Sequence, residues 1–168
     1  MKRLAGVGLS FFILSVSLGC PLAKGQSFFF ENPSIGETAK SFTLKTVGGG
    51  KVSLDQYRNG KKAIVFFWAT WCPHCREAII GLNRSKKELE AKDIKVVLVD
   101  IGEAEAEVKR YVDSRKVEYD VFLDHDSSVA EAYGIIGVPT FYLINKQGVI
   151  QDVQHGLPEN YEEILSRS

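Results

Sequence analysis

Residues 63–76 read AIVFFWATWCPHCR, and this segment decides the fold. Its first part, from Ala63 to Ala69, is a near-continuous apolar run, which is typical of a β-strand buried on both faces. Apolar side chains at helical spacing follow from Cys72 to Lys92. The segment therefore predicts a buried strand that leads directly into a helix, with Cys72 at the junction and Cys75 one turn later.

Strands and helices alternate on both sides of this segment. A β-hairpin is predicted from Ser41–Lys45 and Lys51–Leu54, which flank three consecutive glycines. Further strands are predicted at 94–101, 121–123, 140–145 and 149–153, and further helices at 103–116, at 128–133 and after Pro158. This alternation predicts an α/β domain with a central sheet flanked by helices.

The composition fits one globular domain and no nucleic-acid partner. The chain has 168 residues, of which 45% are hydrophobic and 25% charged, close to the average of soluble proteins. Its 21 basic and 21 acidic side chains give a formal net charge of zero. Nucleic-acid-binding domains carry an excess of basic residues, so the charge balance argues against that class.

The N-terminus predicts export. Lys2 and Arg3 precede an apolar run from Leu4 to Leu18 with no charge inside it, the arrangement of a secretory signal. We assign residues 1–25 to a signal peptide or lipoprotein signal and residues 26–168 to the folded domain. The domain is therefore expected to be periplasmic or otherwise extracytoplasmic.

Three fates of the signal region stay open. Leu18-Gly19-Cys20 resembles a lipobox, which predicts lipidation of Cys20 and membrane attachment through the N-terminus. Ala23-Lys24-Gly25 instead offers small residues to a signal peptidase, which would leave Gln26 first. The third fate is an uncleaved anchor, although the apolar run is shorter than the roughly 20 residues of a stable spanning helix.

The cysteine count indicates reactivity rather than a structural disulfide. Cys20 lies in the signal region, which leaves Cys72 and Cys75 alone in the folded domain. A pair separated by two residues closes too small a loop to hold a fold together. Thiol–disulfide exchange needs an attacking thiolate and a second, resolving thiol. We predict that Cys72, on the exposed side, attacks, that Cys75 resolves, and that their disulfide is the only redox group.

Pro73 and His74 are predicted to tune the pair. Pro73 suits the first helical position, where its missing N–H costs nothing. His74 can be cationic beside the thiolate. A helix N-terminus and a neighbouring cation both stabilise a cysteine thiolate. These features favour the reduced, ionised pair and therefore an oxidising protein.

A metal site is the main alternative for two cysteines at this spacing. Structural zinc needs four ligands, whereas the folded domain has no third cysteine, and His125 and His155 lie far away in sequence. We therefore predict no metal. A copper or haem carrier is a further alternative, with His155 as a nominal third ligand; thioether ligation is excluded because Met1 is the only methionine.

Two segments resemble one family. Phe67 to Arg76 resembles the active-site segment of TlpA/ResA-like thiol-disulfide oxidoreductases, members of the thioredoxin-like superfamily. Tyr133 to Phe141 is similar to the segment that carries the family's cis-proline. The resemblance covers roughly residues 33–165. It implies a thioredoxin fold: a central mixed sheet flanked by helices, with an N-terminal β-hairpin and an inserted βα element.

The resemblance also implies how substrates bind. Pro139 would be cis and packed against the cysteine pair, which leaves the backbone of Val138 free to pair with a substrate strand. Trp71 would shield the disulfide and shape the docking face. Trp68 fits a core position equally well.

The resemblance further implies an exported enzyme that reduces disulfides of extracytoplasmic proteins, for example in cytochrome c maturation. Its partners would be protein disulfides and a membrane thiol that donates electrons. The alternative direction, disulfide donation, has support from the Pro-His dipeptide, which is the one found in DsbA.

The chain departs from the family at three positions that bear on proton transfer. Ala78 and Ile80 stand where members commonly carry a glutamate and a proline, and Glu77 is interpreted as a solvated charge. Phe66 stands where thioredoxins carry a buried acid that helps to deprotonate the second cysteine. The proton acceptor for Cys75 is therefore unassigned.

Overall fold

A mixed sheet of seven strands is the centre of the computed structural model, which describes residues 34–167. The strands are β1 (Thr43–Thr46), β2 (Lys51–Ser53), β3 (Lys62–Trp68), β4 (Ile94–Ile101), β5 (Val121–Asp124), β6 (Thr140–Ile144) and β7 (Ile150–Gln154). The helices are α1 (Leu54–Arg58), α2 (Pro73–Ala91), α3 (Glu105–Arg115), α4 (Ser128–Ala132) and α5 (Tyr161–Leu165). This arrangement confirms the predicted α/β class.

The sheet order is β2-β1-β5-β4-β3-β6-β7. Strands β3, β4 and β5 run parallel in the middle, because helical crossovers connect them. The remaining strands pair antiparallel, with the predicted β1–β2 hairpin beside β5 and the β6–β7 hairpin beside β3. The cysteine segment therefore lies at the carboxyl end of a central strand.

Side chains alternate between the two faces of the sheet, and each face has its own core. On β3, Ile64, Phe66 and Trp68 pack with α2, α3 and α5. Ala63, Val65 and Phe67 point the other way, toward α1 and α4. Every residue of β3 after Lys62 is buried, on one face of the sheet or the other. This burial on both faces explains the continuous apolar run in the sequence.

Two predicted boundaries were wrong for local reasons. Leu54 belongs to α1 rather than to the second hairpin strand, because Ser53 and Gln56 form a reciprocal capping box that starts this short, unpredicted helix. Helix α3 begins at Glu105 rather than at Glu103. Gly102 has a φ of +72°, and this left-handed turn sends Glu103 back toward the cysteine segment before the helix begins.

The proposed signal region, residues 1–25 with Cys20, lies outside the described residues. Within residues 34–167, no helix combines the length and the apolar character needed to cross a membrane.

Candidate active site

Cys72 lies at the N-cap of α2, immediately before Pro73 at the first helical position. Its backbone is extended, with φ −82° and ψ 113°, so that the thiol points back over the first turn. The N–H of Cys75 donates to Cys72 Sγ at 3.2 Å. The first turn of a helix leaves this N–H without a backbone partner, so it is free to donate to the sulfur. The contact stabilises negative charge on Cys72 Sγ.

Cys72 is less accessible than the sequence suggested. The residue is 4% exposed, whereas we expected it on an exposed side. The loop before β6 covers it, and the Cys72 thiol donates to the carbonyl of Val138 at 3.7 Å. A partner must therefore approach along the edge of this loop to reach the sulfur.

Cys75 is fully buried, one turn into α2. Burial, followed by the contact with the Cys72 side chain, raises the pKa of Cys75 to about 12. A thiol with this pKa keeps its proton at neutral pH. Cys75 can become a nucleophile only if another group takes that proton.

The peptide bond between Val138 and Pro139 is cis, as the resemblance implied. The hydroxyl of Thr140 donates to the carbonyl of Gly137 at 2.7 Å. His155 Nδ1 lies 2.9 Å from the carbonyl of Pro139, to which its N–H donates. Sequence reasoning considered His155 as a nominal third metal ligand; the structure shows that it contacts the loop that carries Pro139.

His74 faces a carboxylate rather than a sulfur. Its side chain is 81% exposed, and its Nδ1 lies 3.7 Å from Glu77 Oε2 one turn later. Glu77 is therefore the ion-pair partner of His74 in addition to being a solvated charge. A positive charge on His74 is partly offset by Glu77, which weakens the tuning effect expected from the dipeptide.

Two grooves lie beside the loop before β6, one lined by Val138 and the other by Pro139. The first, of about 290 Å³, is mostly apolar and runs between Trp71 and Ile136. These two side chains are 68% and 97% exposed. The second groove, of about 600 Å³, lies between α2 and the segment from His155 to Leu157. Trp71, Val138 and Pro139 thus line the approaches to Cys72.

An aromatic pair occupies the position at which thioredoxins carry a buried acid. Phe66 is fully buried and stacks on Phe141 with ring centroids 4.1 Å apart and planes 1° from parallel. Trp68 is also fully buried, which settles its role as a core residue. No carboxyl group enters the core from β3.

Two acidic residues near the site escaped the sequence reasoning. Glu103 accepts from the backbone N–H of Thr70 at 2.5 Å and from the Thr70 hydroxyl at 2.6 Å, so it holds the segment that precedes Cys72. Asp100 lies at the end of β4 and is 1% exposed. The only signal for either was an acidic residue at the carboxyl end of a buried strand, where functional groups of α/β folds collect.

The described part of the chain contains no cluster of three or more His, Cys, Asp or Glu side chains with the geometry of a metal site. Nδ1 of His155, the residue considered as a nominal third metal ligand, instead makes a hydrogen bond with the Pro139 carbonyl.

Known proteins resemble this chain along most of its length. The profile of the AhpC/TSA family matches residues 35–153. The thiol-disulfide oxidoreductase ResA of Bacillus cereus is 30% identical over 157 residues, which cover 92% of this chain and 90% of that protein. The crystal structure of StoA from Bacillus subtilis gives a TM-score of 0.64 at 25% identity, covering 79% of this chain and 98% of StoA. The thioredoxin domain of a thiol-disulfide oxidoreductase from Bacteroides vulgatus gives 0.66 at 25% identity, covering 78% and 91%. These likenesses confirm the thioredoxin fold.

Proposed function

This chain belongs to the AhpC/TSA family and is a thiol-disulfide oxidoreductase of the ResA and StoA type, and from that premise we propose that it reduces disulfides of extracytoplasmic proteins through Cys72 and Cys75. The observation that carries the proposal is the position of Cys72 Sγ, which receives the N–H of Cys75 and lies against the Val138 carbonyl. This position combines thiolate stabilisation with a backbone edge on which a substrate strand can dock.

The reaction transfers two electrons from the cysteine pair to the substrate. The Cys72 thiolate attacks one sulfur of the substrate disulfide, forms a mixed disulfide and releases the first substrate thiolate. Cys75 then loses its proton and attacks Cys72 Sγ. This step forms the Cys72–Cys75 disulfide and releases the second substrate thiolate, and both substrate thiolates take up protons. A dithiol donor, which we place in the membrane, returns the pair to the reduced form.

The contact between His74 and Glu77 supports reduction, rather than disulfide donation, as the direction of electron flow. A cation beside the thiolate would stabilise the reduced pair and favour disulfide donation, as in DsbA. Here the Glu77 carboxylate lies 3.7 Å from the His74 ring, and both side chains are well exposed, so the carboxylate and the solvent would both weaken the effect of a charge on His74 at the thiolate. We therefore propose reduction. A potential of about −270 mV in a glutathione or dithiothreitol titration would support reduction, whereas one of about −120 mV would support donation.

Cysteine variants of the full chain test the site. Cys72→Ser should abolish reduction of insulin disulfides, because no thiolate remains to attack. Cys75→Ser should accumulate mixed disulfides with the natural partner, because the intermediate cannot be resolved. Cys20→Ser is the matched control, since it removes a cysteine outside the pair. If Cys72→Ser reduces insulin as fast as the unchanged protein, the proposed site is wrong.

Export and membrane attachment are proposed from the N-terminal sequence. The basic residues and apolar run before residue 19 support export, and the lipobox-like segment supports lipidation of Cys20. Fractionation of the native host should place the chain outside the cytoplasm. Cys20→Ser should then release it from the membrane fraction if lipidation is its anchor, and should leave it there if the anchor is uncleaved.

We propose apocytochrome c as one substrate, since the resemblance implies cytochrome c maturation as an example of the reaction. A host that lacks this protein should attach less haem covalently to its c-type cytochromes. The gene for the unchanged chain should restore haem attachment, and that for Cys72→Ser should not. Normal cytochrome c content without the protein would exclude this substrate while leaving the enzyme class intact.

A further inference from the structure

Two acidic side chains are fully buried in the sheet, and only one of them has hydrogen-bond donors. Asp124 is 0% exposed, and its two oxygens accept the N–H groups of Val129 and Ala130 at 3.1 and 2.8 Å. Asp100 is 1% exposed, and neither of its oxygens has a donor partner within residues 34–167. Asp124 therefore caps α4, whereas the Asp100 carboxyl receives no hydrogen bond from a donor in the described residues. A buried carboxyl without donors costs stability, which calls for another role.

The two carboxyls also lie on opposite faces of the sheet. Asp100 stands opposite Trp68 in the parallel pairing of β3 with β4, and paired residues of neighbouring strands point to the same face. Trp68 and Cys75 belong to the same buried cluster, beneath α2. Asp124 follows Phe122 on the other face, toward α4. Asp100 is thus the buried acid, among the described residues, on the side that contains Cys75.

Glu103 favours the protonated form of the Asp100 carboxyl. The Asp100 carboxyl interacts with that of Glu103, and two carboxyl groups form a hydrogen bond only when one of them carries a proton. Glu103 accepts two hydrogen bonds from Thr70. Burial, then the Glu103 carboxylate, raises the pKa of Asp100 to about 9. At neutral pH, Asp100 therefore holds the proton.

We propose that Asp100 is the residue that exchanges a proton with Cys75 during thiol–disulfide exchange, an inference that rests on the proposed roles of Cys72 and Cys75. It fills, from β4, the place that Phe66 leaves without an acid on β3. Glu103 then acts as a positioning residue, because it holds both Asp100 and the segment that leads into Cys72.

The proton and the electrons balance in both directions. When the donor dithiol reduces the pair, its thiolate attacks Cys72 Sγ, and the bond to Cys75 breaks with the electron pair on Cys75. Asp100 gives its proton to the Cys75 thiolate and regains one from solvent. When a substrate is reduced, Asp100 first releases its proton to solvent, and the resulting carboxylate accepts the proton of Cys75 while Cys75 attacks Cys72 Sγ. The released substrate thiolate then takes a proton from solvent.

The difference between the pKa values of Cys75 and Asp100 supports this exchange. Burial raises the pKa of Cys75 to about 12, above that of Asp100. Proton transfer from Asp100 to a newly formed Cys75 thiolate is therefore favourable. The reverse transfer is uphill, but far less so than release of the same proton to bulk water, because Asp100 is the stronger base.

The test measures how fast dithiothreitol reduces the oxidised full-length chain, followed by tryptophan fluorescence from about pH 6 to about pH 10. Rates are divided by the dithiothreitol thiolate concentration. The unchanged protein should give a constant value that falls above about pH 9, where Asp100 loses its proton. Asp100→Asn should be slower by about 100-fold below that pH and should show no fall, because general acid catalysis contributes at least this much.

Three further variants separate proton transfer from structure. Asp100→Leu removes the carboxyl with an apolar side chain and should match Asp100→Asn. Asp100→Glu restores a carboxyl and should recover the fall with pH. Asp124→Asn removes the other buried carboxyl and should keep the rate of the unchanged protein at neutral pH, with the fall moved to lower pH because the charge of Asp124 contributes to the raised pKa of Asp100.

Two results would overturn different claims. If Asp100→Asn and Asp100→Leu are reduced at the rate and with the pH profile of the unchanged protein, Asp100 exchanges no proton with Cys75. That outcome leaves the redox pair intact, provided that Cys72→Ser still abolishes insulin reduction. If Cys72→Ser is as active as the unchanged chain, the proposed function itself fails and Asp100 has no exchange to serve.

Discussion

Replacement of Asp100 by asparagine should stabilise the reduced protein, and the gain should grow with pH. The native carboxyl keeps its proton up to about pH 9, whereas in the unfolded chain it ionises near its ordinary pKa of 3.8. Between these values the native state binds one proton more than the unfolded state. The free energy of unfolding therefore falls as pH rises through this window. Asparagine does not titrate, so this dependence disappears with it.

The magnitude follows from the width of the window. Each pH unit above 3.8 costs the native state about 1.36 kcal/mol, so that the penalty reaches roughly 4 kcal/mol by about pH 7. A buried amide without full partners costs about 1–3 kcal/mol in return. Asp100→Asn should therefore raise the free energy of unfolding by about 1–3 kcal/mol at pH 7 and by less at pH 5.

Urea unfolding of the reduced full-length chain, followed by far-ultraviolet circular dichroism at about pH 5, 6, 7 and 8, measures this difference. The gap between the variant and the unchanged protein should widen by up to about 1.4 kcal/mol per pH unit. Asp124→Asn is the control, since it weakens two hydrogen bonds to α4 and should destabilise by about 1–3 kcal/mol. A gap for Asp100→Asn that stays constant with pH would refute the assignment of a buried, protonated carboxyl.

Three other substitutions test the aromatic core, the docking face and the tuning pair. Phe66→Ala should lower the free energy of unfolding by about 3–5 kcal/mol, because it removes the ring stacked on Phe141; a loss below about 1 kcal/mol in urea would contradict this packing. Trp71→Ala should raise KM for a protein disulfide about tenfold and lower kcat less, because we expect the exposed ring to contact substrate; an effect on kcat alone would count against docking. Glu77→Gln should raise the reduction potential by about 10–20 mV, because it removes the negative charge that faces His74; an unchanged or lower potential in redox titration would show that this pair does not act on the thiolate.

The elements around the cysteine segment could be predicted because their signals are local. A two-sided strand has a continuous apolar run, and α2 has both a periodic apolar face and a proline at its first position. The resemblance added the cis bond before Pro139, which no local pattern could have supplied. Helix α1 has a local signal too, the capping box from Ser53 to Gln56, but the strand alternation that precedes it extended the predicted strand by one residue.

The accessibility of Cys72 and the role of Asp100 could not be predicted, because both depend on pairing between distant segments. Val138, which covers the thiol, is 66 residues away in sequence. Asp100 faces the α2 layer only because β4 pairs with β3 in the register that sets it opposite Trp68. A shift of one residue would turn its carboxyl to the other face, beside α4. Sequence alone gives the residue type but not that register.

The two cysteines therefore depend on different parts of the molecule. Cys72 depends on the surface: it lies at a helix start against the Val138 carbonyl, and we expect substrates to dock in the two grooves beside the loop that carries Val138 and Pro139. Cys75 depends on the core, because burial raises its pKa and keeps the thiol protonated, and because Asp100 lies on the same side of the sheet. Changes in the grooves should consequently alter the choice of substrate without altering the pH dependence. Changes at Asp100 should alter the pH dependence for every substrate alike, since the proton step follows only after the substrate has been bound and attacked.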